Sequence, residues 1–473
     1  MNYKSILFFL GIYSLLVSLF SVLNIGYSIY LDFIIDLNSY LITFLISLII
    51  GFLFYYIGRN NNKDISLTDQ VVFILLGFIL IPILISIPYY LSIYNINILN
   101  SYFESVSGFT ATGFTIVQNV NEIDEPLLLW RSSSQWLGGL FFLLSTIGTI
   151  GSKQIKIKPA YLISGGASGR NFYNNFNYNF IKILLIYFAS TIFIIFLYSL
   201  TNIRLLDSFN LAFTTISSGG FIPTDNLSII IETNLQKFIL SITLLIPIFN
   251  FFLLHDIITR QFSFENHQED LHLFLLVVLF TSLIYFFVVP NEEFANVFFA
   301  ITSSLSTSGI TTYSSNFDLS LFFLLLTIVG GSLISTSSGF KYTRIYILLK
   351  VSHQEIYRLA KPINIIDKNL FNSKNKIDDQ DVKIAFLVFI SFIISLFILS
   401  GILTLDNLTF ENSFKLSILT LTNTVSSALY GMNNLSFFDL NSFTKMSLII
   451  FMILGKVEII AVIYLIKRFI FRE

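Results

Sequence analysis

The chain has 473 residues, of which 55% are hydrophobic and only 12% are charged. Soluble globular domains carry about 25% charged residues, so this composition excludes a soluble domain and indicates a protein with membrane-embedded segments along its whole length. The absence of cysteine excludes disulfides, thiolate chemistry and Cys-based metal sites. A formal net charge of -1 argues against nucleic acid as a partner.

Apolar runs of about 20 residues recur along the chain and predict membrane-spanning helices. The first run follows Lys4 without a small-residue cleavage site, which favours a spanning helix over a removable signal peptide. The predicted spans lie near 5–25, 39–57, 70–94, 132–150, 179–201, 236–258, 271–290, 320–350, 382–404 and 442–470. Glycines and hydroxyl side chains interrupt the run at 320–350, so it is predicted to be a broken helix.

The distribution of basic residues predicts the orientation of these spans. Most of the 27 Lys and Arg residues fall in the two termini or in the loops that the span count places on the same side of the membrane as the termini. The stretch 341–383 is one of these loops. Because positive residues are retained inside, both termini are expected to be cytoplasmic. The opposite side carries acidic residues such as Glu122, Asp124 and Glu293. These either concentrate cations at an outer vestibule or are simply common in translocated loops.

One pattern occurs four times after the first two spans: a spanning run, a short apolar stretch, a Ser/Thr/Gly-rich turn and another spanning run. The short stretches begin near Leu99, Leu205, Glu293 and Phe410, and they are too short to cross a bilayer, as expected of re-entrant segments. The turns read Thr110-Ala-Thr-Gly-Phe114, Ser217-Ser-Gly-Gly-Phe221, Ser306-Thr-Ser-Gly-Ile310 and Thr424-Val-Ser-Ser-Ala428.

The repeated pattern predicts an all-α membrane protein with about ten spans. Four membrane-pore-membrane repeats would surround one pseudo-fourfold pore, preceded by two extra helices. The predicted boundaries are 1–62 for the two N-terminal transmembrane helices, then 63–178, 179–268, 269–380 and 381–473 for repeats 1 to 4.

The four turns carry the residue types that an ion filter needs. Non-helical backbone at membrane depth is tolerated where protein or water surrounds it, and rings of carbonyl oxygens can replace the hydration shell of a cation. Gly113, Gly220 and Gly309 would allow the dihedrals that turn carbonyls inward. The alternative is that Ser/Thr-Gly clusters are ordinary close-packing contacts, which recurrence at matching places disfavours.

Longer motifs around these turns resemble the Trk/Ktr/HKT superfamily of potassium transporters, and its TrkH type in particular. The run Phe103-Glu-Ser-Val-Ser-Gly-Phe-Thr-Ala-Thr-Gly-Phe114 resembles a TrkH first filter, and Trp130-Arg-Ser-Ser-Ser-Gln-Trp-Leu-Gly-Gly139 resembles the helix start after it. Further matching segments are Asn250-Phe251 with His255, Gly330-Gly331-Ser332 through Ser338-Gly339 with Lys341, and Gly455-Lys-Val-Glu458. The resemblance covers nearly the whole chain.

The resemblance implies potassium uptake across the bacterial cytoplasmic (inner) membrane through a filter of backbone carbonyls. No enzymatic activity and no cofactor are implied, and the potassium ion is the transported ligand. The partners implied are membrane lipid, a second copy of the chain in a homodimer, and a cytoplasmic nucleotide-binding regulatory subunit of the TrkA kind.

The resemblance also assigns site residues. The potassium filter would comprise Thr110, Ala111, Thr112, Gly113, Ser218, Gly219, Gly220, Thr307, Ser308, Gly309, Val425 and Ser426. The gate would comprise Gly331, Ser335, Thr336, Ser337, Ser338 and Gly339. Lys456 would be a fixed charge beside the pore, and the alternative is a structural ion pair with Glu458 or snorkelling.

The fourth turn departs from the family pattern. Aligning on Thr424 and Val425 places Ser426 where the family has glycine, with Gly431 as the substitute if the loop is shifted. A sodium-permeable cation transporter of the same fold is therefore an alternative. An inverted-repeat secondary transporter would also fit the broken helix, but successive copies here share one topology. No paired membrane carboxylates, HExxH or phosphate-binding loop occur, which disfavours an intramembrane enzyme or ATPase.

Several charged residues have structural predictions. Glu104 is expected to anchor the first loop through backbone N–H groups, and Asp207, Glu292 and Glu411 are expected to cap three short helices. The four histidines, His255, His267, His272 and His353, are expected to be solvated rather than to bind metal. The basic stretch 341–383 either flanks the membrane or docks a regulatory subunit or anionic lipid.

Overall fold

The computed structural model describes residues 2–33, 36–59, 67–94, 96–150, 176–260, 262–264, 267–312, 319–360, 369–371, 377–406, 408–432, 435–457 and 462. Across these residues the chain forms helices joined by loops, as the all-α prediction requires. The predicted partner Glu458 and most of the predicted span beyond Val457 lie outside the described residues.

The helices in chain order are α1 (Tyr3–Tyr30), α2 (Leu37–Gly58), α3 (Leu67–Leu91), α4 (Ile98–Phe109), α5 (Glu125–Ile150), α6 (Phe176–Ser199), α7 (Leu205–Ile216), α8 (Asn234–Thr243), α9 (Phe251–Ile258), α10 (Gln268–Leu283), α11 (Phe294–Leu305), α12 (Ser320–Val329), α13 (Tyr342–Ala360), α14 (Asp379–Thr404), α15 (Phe410–Leu421) and α16 (Ser442–Val457).

Six of the described helices are long and apolar enough to cross a membrane. Their outward surfaces carry large apolar side chains such as Ile49, Phe52, Leu279 and Ile394, each about half exposed. A soluble protein does not present such a continuous apolar surface to water, so these faces suit the acyl chains of a bilayer. The predicted total of ten spans and the predicted repeat boundaries stay predictions.

The first two helices form a close-packed hairpin. A Cβ added to Gly11 would lie 2.7 Å from the Tyr55 backbone nitrogen, and one added to Gly58 would lie 2.6 Å from the Lys4 carbonyl oxygen. Small residues at such crossings allow helices in a bilayer to approach closely, where van der Waals packing replaces the hydrophobic effect as the main attraction. The hairpin packs in turn on α3.

Four helices of twelve residues each, α4, α7, α11 and α15, lie between longer helices. They begin within one residue of the predicted short stretches. Besides its chain neighbours, each packs against a helix from the preceding part of the chain: α7 on α5, α11 on α8 and α15 on α12. The first, α4, packs on the last long helix, α16, so the four short helices follow one another in a closed order.

The predicted N-caps are wrong for all three acidic residues. Asp207 and Glu411 lie inside the first turns of α7 and α15, while Glu292 precedes α11 by two residues. The side chain of Thr409 accepts the cap hydrogen bond of α15 instead. Asn97 fills the same role for α4.

The predicted continuous span at 236–258 is also wrong. Helix α8 ends at Thr243 and α9 begins at Phe251. The intervening backbone bonds to another part of the chain: Ile248 O accepts from Ser332 N–H at 2.8 Å, and Phe251 N–H donates to Ile334 O at 2.7 Å. Because the helix is broken there, its free peptide groups bond to the 330–341 segment. That segment separates α12 from α13, so the predicted broken helix is observed.

Candidate functional site

The four short helices end in the same backbone conformation. One residue after each helix C-cap, the chain adopts a positive φ: +56° at Ala111, +58° at Ser218, +59° at Thr307 and +48° at Asn423. Side-chain-bearing residues rarely occupy this left-handed region, so its use four times at one position reflects a common loop design. We call these segments loop 1 (110–114), loop 2 (217–221), loop 3 (306–310) and loop 4 (422–426).

This geometry aligns the loops residue by residue. The third position of each loop holds Thr112, Gly219, Ser308 and Thr424. In loops 1, 2 and 4, its N–H donates to the carbonyl five residues earlier, at 2.9, 2.8 and 2.9 Å. The fourth position then holds Gly113, Gly220, Gly309 and Val425.

The alignment of Ser426 with the filter glycines is therefore wrong by one residue, and Val425 stands in that register. Gly431 does not replace it, because Gly431 ends a separate short turn at Ala428–Tyr430 in a left-handed conformation. The length of α15, which only the folded helix reveals, decides the register.

The fourth positions of the loops converge. A Cβ added to Gly113 would lie 2.7 Å from Gly220 Cα, and one added to Gly309 would lie 2.9 Å from Val425 O. Gly113 and Gly309 also adopt positive φ values of +83° and +67°. A larger residue in place of Gly113 or Gly309 would therefore collide with neighbouring backbone and would also strain its own backbone.

Hydroxyl pairs hold three of the loops. The C-cap and third-position hydroxyls lie 2.7 Å apart in loop 1 (Thr110 and Thr112), 3.0 Å in loop 3 (Ser306 and Ser308) and 3.0 Å in loop 4 (Thr422 and Thr424). Loop 4 is also tied to its neighbours. Asn423 Nδ2 donates to Thr112 Oγ1 at 2.9 Å, and Ser427 Oγ donates to Gly309 O at 2.6 Å.

Gln135 of α5 takes the place of the missing hydroxyl in loop 2. A Cβ added to Gly219 would lie within 2.2 Å of the Gln135 side-chain amide. In the amide orientation that satisfies both of its ends, Gln135 accepts from Gly220 and Phe221 N–H and donates to Thr214, all at 3.1 Å. Gln135 lies within the motif that begins at Trp130, but sequence reasoning gave it no role. The available signal was Gly219, because the other three loops have a hydroxyl residue at this third position.

A cavity of about 730 Å³ opens beside the loops, and residues from all four loops line it, including Gly113, Gly220, Ile310, Val425 and Ser426. We call this cavity the vestibule. Its wall is held by Glu104, which is fully buried and accepts from Ile116 N–H at 2.9 Å, as predicted for an anchoring role. The Arg131 guanidinium pairs with Glu104 at 3.0 Å and lies over the Phe221 ring at 4.3 Å.

The segment 330–341 lies against the opposite side of loops 2 and 3. Gly330 ends α12 with φ +63°, and the side chains from Ser332 to Ser338 are buried. Thr336 Oγ1 donates to Ile216 O at 2.9 Å and lies 3.3 Å from Ser218 Oγ. Ser338 N–H donates to Thr307 Oγ1 at 2.9 Å.

Two buried lysines bond to this segment. Lys456 Nζ lies 2.8 Å from Ser338 Oγ and 3.4 Å from Thr336 O. Lys341 Nζ donates to Ser335 O at 3.3 Å and to Ser337 O. Both ammonium groups face the Phe142 ring, at 4.4 Å for Lys456 and 5.4 Å for Lys341. Sequence reasoning singled out Lys456 but gave Lys341 no site role.

A charged cluster supports the other flank of the 330–341 segment. Glu269 accepts from Leu333 N–H at 3.2 Å and from the Thr343 hydroxyl, while Asp270 accepts from Asn250 N–H at 2.7 Å. His267 lies between Asp270 and Asp256, at 3.0 and 3.1 Å. The prediction of a solvated histidine is wrong here, since His267 is only 3% exposed. Within the described ranges, no group of three or more His, Cys, Asp or Glu side chains is arranged to hold a metal ion.

Comparisons with known proteins agree with this architecture. The family model described as "TrkH: Cation transport protein" matches residues 273–470. The Escherichia coli Trk system potassium uptake protein TrkG is 27% identical over 455 residues, covering 93% of this chain and 92% of the relative. An uncharacterized cation transporter of Methanocaldococcus jannaschii is 28% identical over 372 residues, 75% of each chain.

Among solved structures, the crystal structure of the potassium transporter TrkH from Vibrio parahaemolyticus superposes with a TM-score of 0.82 at 22% identity, over 98% of both chains. A likeness of this extent establishes a common fold across the whole chain, including the two N-terminal helices. Together with the family model over residues 273–470 and the curated relatives, it shows a multi-pass membrane protein that is similar along most of its length to the TrkH type of the Trk/Ktr/HKT superfamily.

Proposed function

We propose that this protein takes up potassium ions across the bacterial cytoplasmic membrane through a pore formed by loops 1 to 4. The observation that carries this proposal is the fourfold recurrence of one loop conformation, with all four loops meeting at their fourth positions. Relatives that cover most of the chain are named as potassium uptake proteins of the Trk system.

The chemistry of the loops supports a cation filter. The C-terminal ends of the four short helices point their partial negative charge at the loops. Backbone carbonyls in the loops can substitute for the water around a dehydrated cation, and glycines leave room for this backbone to face the pore. Hydroxyl pairs in loops 1, 3 and 4 stiffen the backbone that carries these carbonyls.

The 330–341 segment acts as the gate in this proposal. It has the features of a movable plug, because it is irregular backbone between two helices and is held by hydrogen bonds rather than by a helix. Lys456 and Lys341 place positive charge beneath the loops, where it would oppose the passage of a cation until the segment moves.

The proposed assembly is a homodimer in the inner membrane, with both termini cytoplasmic and a TrkA-like nucleotide-binding subunit below. The named Trk system of the relatives supports a regulatory partner. The basic stretch 341–383 would lie on the same side and offers positive charge to such a partner or to anionic lipid.

The direct test is ion flux into liposomes that contain the purified protein, with potassium and sodium measured side by side. Potassium flux well above sodium flux is the expected result. Gly113→Ser should abolish this preference or the flux, because its Cβ would meet Gly220 backbone. Gly26→Ser is the matched control, since a Cβ on Gly26 contacts nothing within 4 Å.

Each alternative outcome has a clear meaning. No cation flux in either variant or in the wild type would refute the transport proposal. Equal potassium and sodium flux would retain the pore and favour the sodium-permeable alternative, which the non-glycine residue at the fourth position of loop 4 supports. Normal flux and selectivity in Gly113→Ser would refute the assignment of loop 1 to the filter.

A further inference from the structure

Loop 4 differs from the other three loops at the position where they converge. Loops 1 to 3 have glycine there, whereas loop 4 has Val425, the one side chain in this set of four. Gly113 and Gly309 have a φ in the left-handed region, whereas Gly220 and Val425 do not. The side chain of Val425 is therefore what distinguishes loop 4 from the other three loops at the convergence point.

The Val425 side chain extends toward the middle of the convergence point. A Cβ added to Gly220 would lie only 2.4 Å from Val425 Cβ and 2.9 Å from Val425 Cγ1. A Cβ added to Gly309 would lie 3.0 Å from the same Cγ1. The isopropyl group thus contacts the backbone of loop 2 while it also lies beside loop 3.

Loop 2 is opposite loop 4 in the closed order of the short helices. Helix α15 packs on α12 of the third repeat, and α4 packs on α16 of the fourth, so loops 3 and 1 are the neighbours of loop 4. A side chain of loop 4 that packs on Gly220 of loop 2 must therefore cross the centre of the convergence point. Val425 also lines the vestibule, so it lies where an ion would leave the vestibule and enter the loops.

We propose that Val425 is an apolar constriction that limits ion entry and sets ion preference in this protein. The inference rests on the proposed function, because it assigns a rate-limiting residue to that pore. An isopropyl group offers no oxygen to a dehydrating cation, and apolar constrictions of pores restrict conduction by excluding water. An ion from the vestibule would have to pass the Val425 side chain before it reached the backbone carbonyls of loops 1 to 3.

The first test is a size series at residue 425 in the liposome flux assay. Val425→Gly should raise potassium flux at least about threefold and change the potassium-to-sodium ratio, because removing the apolar barrier lets water and ions reach the carbonyls. Val425→Ala should be intermediate, and Val425→Ile should fall below the wild type. Val22→Ala, on the exposed face of α1, is the matched control and should leave flux unchanged.

A second test uses the absence of cysteine from the chain. Val425→Cys introduces a single thiol, and a positively charged, membrane-impermeant thiol reagent added from the vestibule side should block its flux. Val22→Cys should be insensitive to the same reagent. This thiol-modification experiment tests the role of Val425 even if Val425→Gly fails to fold.

Two results would overturn the inference: glycine and alanine variants with wild-type flux and selectivity, or a Val425→Cys protein whose flux survives complete modification. Either result with potassium flux present in the wild type contradicts only the role of Val425. If neither the wild type nor Val425→Gly transports any cation, the proposed function itself fails.

Discussion

At the residue scale, the buried charges of Glu104 and Arg131 beside the vestibule neutralise each other. The carboxylate of Glu104 bonds to Ile116 N–H, to the Thr115 hydroxyl and to Arg131. Both members of the pair are at most 3% exposed. At a site with so little solvent exposure, a buried charge without its counter-charge destabilises the fold far more than a neutral contact does. The pair therefore fastens loop 1 to α5.

We expect Glu104→Gln to lower the free energy of unfolding by about 3–5 kcal/mol, because the amide keeps the shape but leaves the Arg131 charge buried and uncompensated. Thermal unfolding of the detergent-solubilised protein measures the loss. Glu122→Gln, at an exposed position bonded to Asn119, should behave as the wild type. Equal melting temperatures for the two variants would contradict the anchoring role of Glu104.

His267 makes stability depend on pH. Burial lowers the pKa of His267, but the hydrogen bonds and charges of Asp270 and Asp256 outweigh burial and raise the pKa above its ordinary value of 6.5. A pKa that is raised in the folded state stabilises the fold fully below the unfolded-state pKa, and that contribution is lost as the pH rises through the folded-state pKa.

We therefore expect the melting temperature of the wild type to exceed that of His267→Gln most clearly below about pH 6.5, with the difference shrinking at alkaline pH. His353→Gln, at an exposed position of α13, controls for general histidine effects. A stability difference that grows as the pH rises would show that His267 acts in its neutral form.

At the scale of elements, α16 connects the two ends of the site through two buried lysines. Lys445 donates to Asn100 Oδ1 at 2.9 Å, at the start of α4. Lys456, eleven residues further along α16, bonds to the 330–341 segment. One helix thus positions a short helix at one end and the proposed gate at the other, and the two lysines offer a comparison within one element.

Lys456→Met should raise potassium flux by at least about tenfold, because hydrogen bonds from a charged donor contribute about 1.5–3 kcal/mol to the closed position of the segment and each step of about 1.4 kcal/mol is a factor of ten. Lys445→Met removes a buried lysine from the same helix and should alter stability without opening the gate. The liposome flux assay and a melting curve on each variant separate the two effects. Lower flux in Lys456→Met than in Lys445→Met would contradict a restraining role.

At the scale of the whole molecule, a belt of exposed apolar side chains surrounds a core that is rich in buried polar groups. Hydroxyl, amide and lysine side chains inside the bundle bond to loops 1 to 4 and to the 330–341 segment. This distribution reverses that of a soluble protein, because lipid cannot satisfy the exposed peptide groups of irregular backbone. The bundle supplies the polar partners that the membrane lacks.

The charge distribution predicts the orientation of the bundle in the membrane, and this prediction is testable in the cysteine-free chain. A single cysteine at Asn121, beside the vestibule, should react with an impermeant maleimide on intact cells. A cysteine at Glu355, on exposed α13, should react only after the cells are permeabilised, because basic loops are retained inside. The reverse labelling pattern would invert the proposed topology.

Much of the fold could be predicted from local sequence. The lengths of the apolar runs reflect the thickness of a bilayer, so α1, α2, α3, α6 and α14 lie where predicted. The short helices were also found, since their length and the hydroxyl-rich turns behind them are local signals. Caps were less predictable: Asp207 and Glu411 have suitable side chains but lie one or more residues inside their helices.

The sequence by itself determined that this chain is a membrane protein with four similar short segments, since apolar length and residue spacing are properties of the chain alone. Only the tertiary structure decided that Val425 stands in register with the glycines, because the end of α15 sets where the left-handed residue falls. It also paired Glu104 with Arg131 and brought Lys341 and Lys456 to one segment. These contacts join distant parts of the chain, and no local preference specifies them.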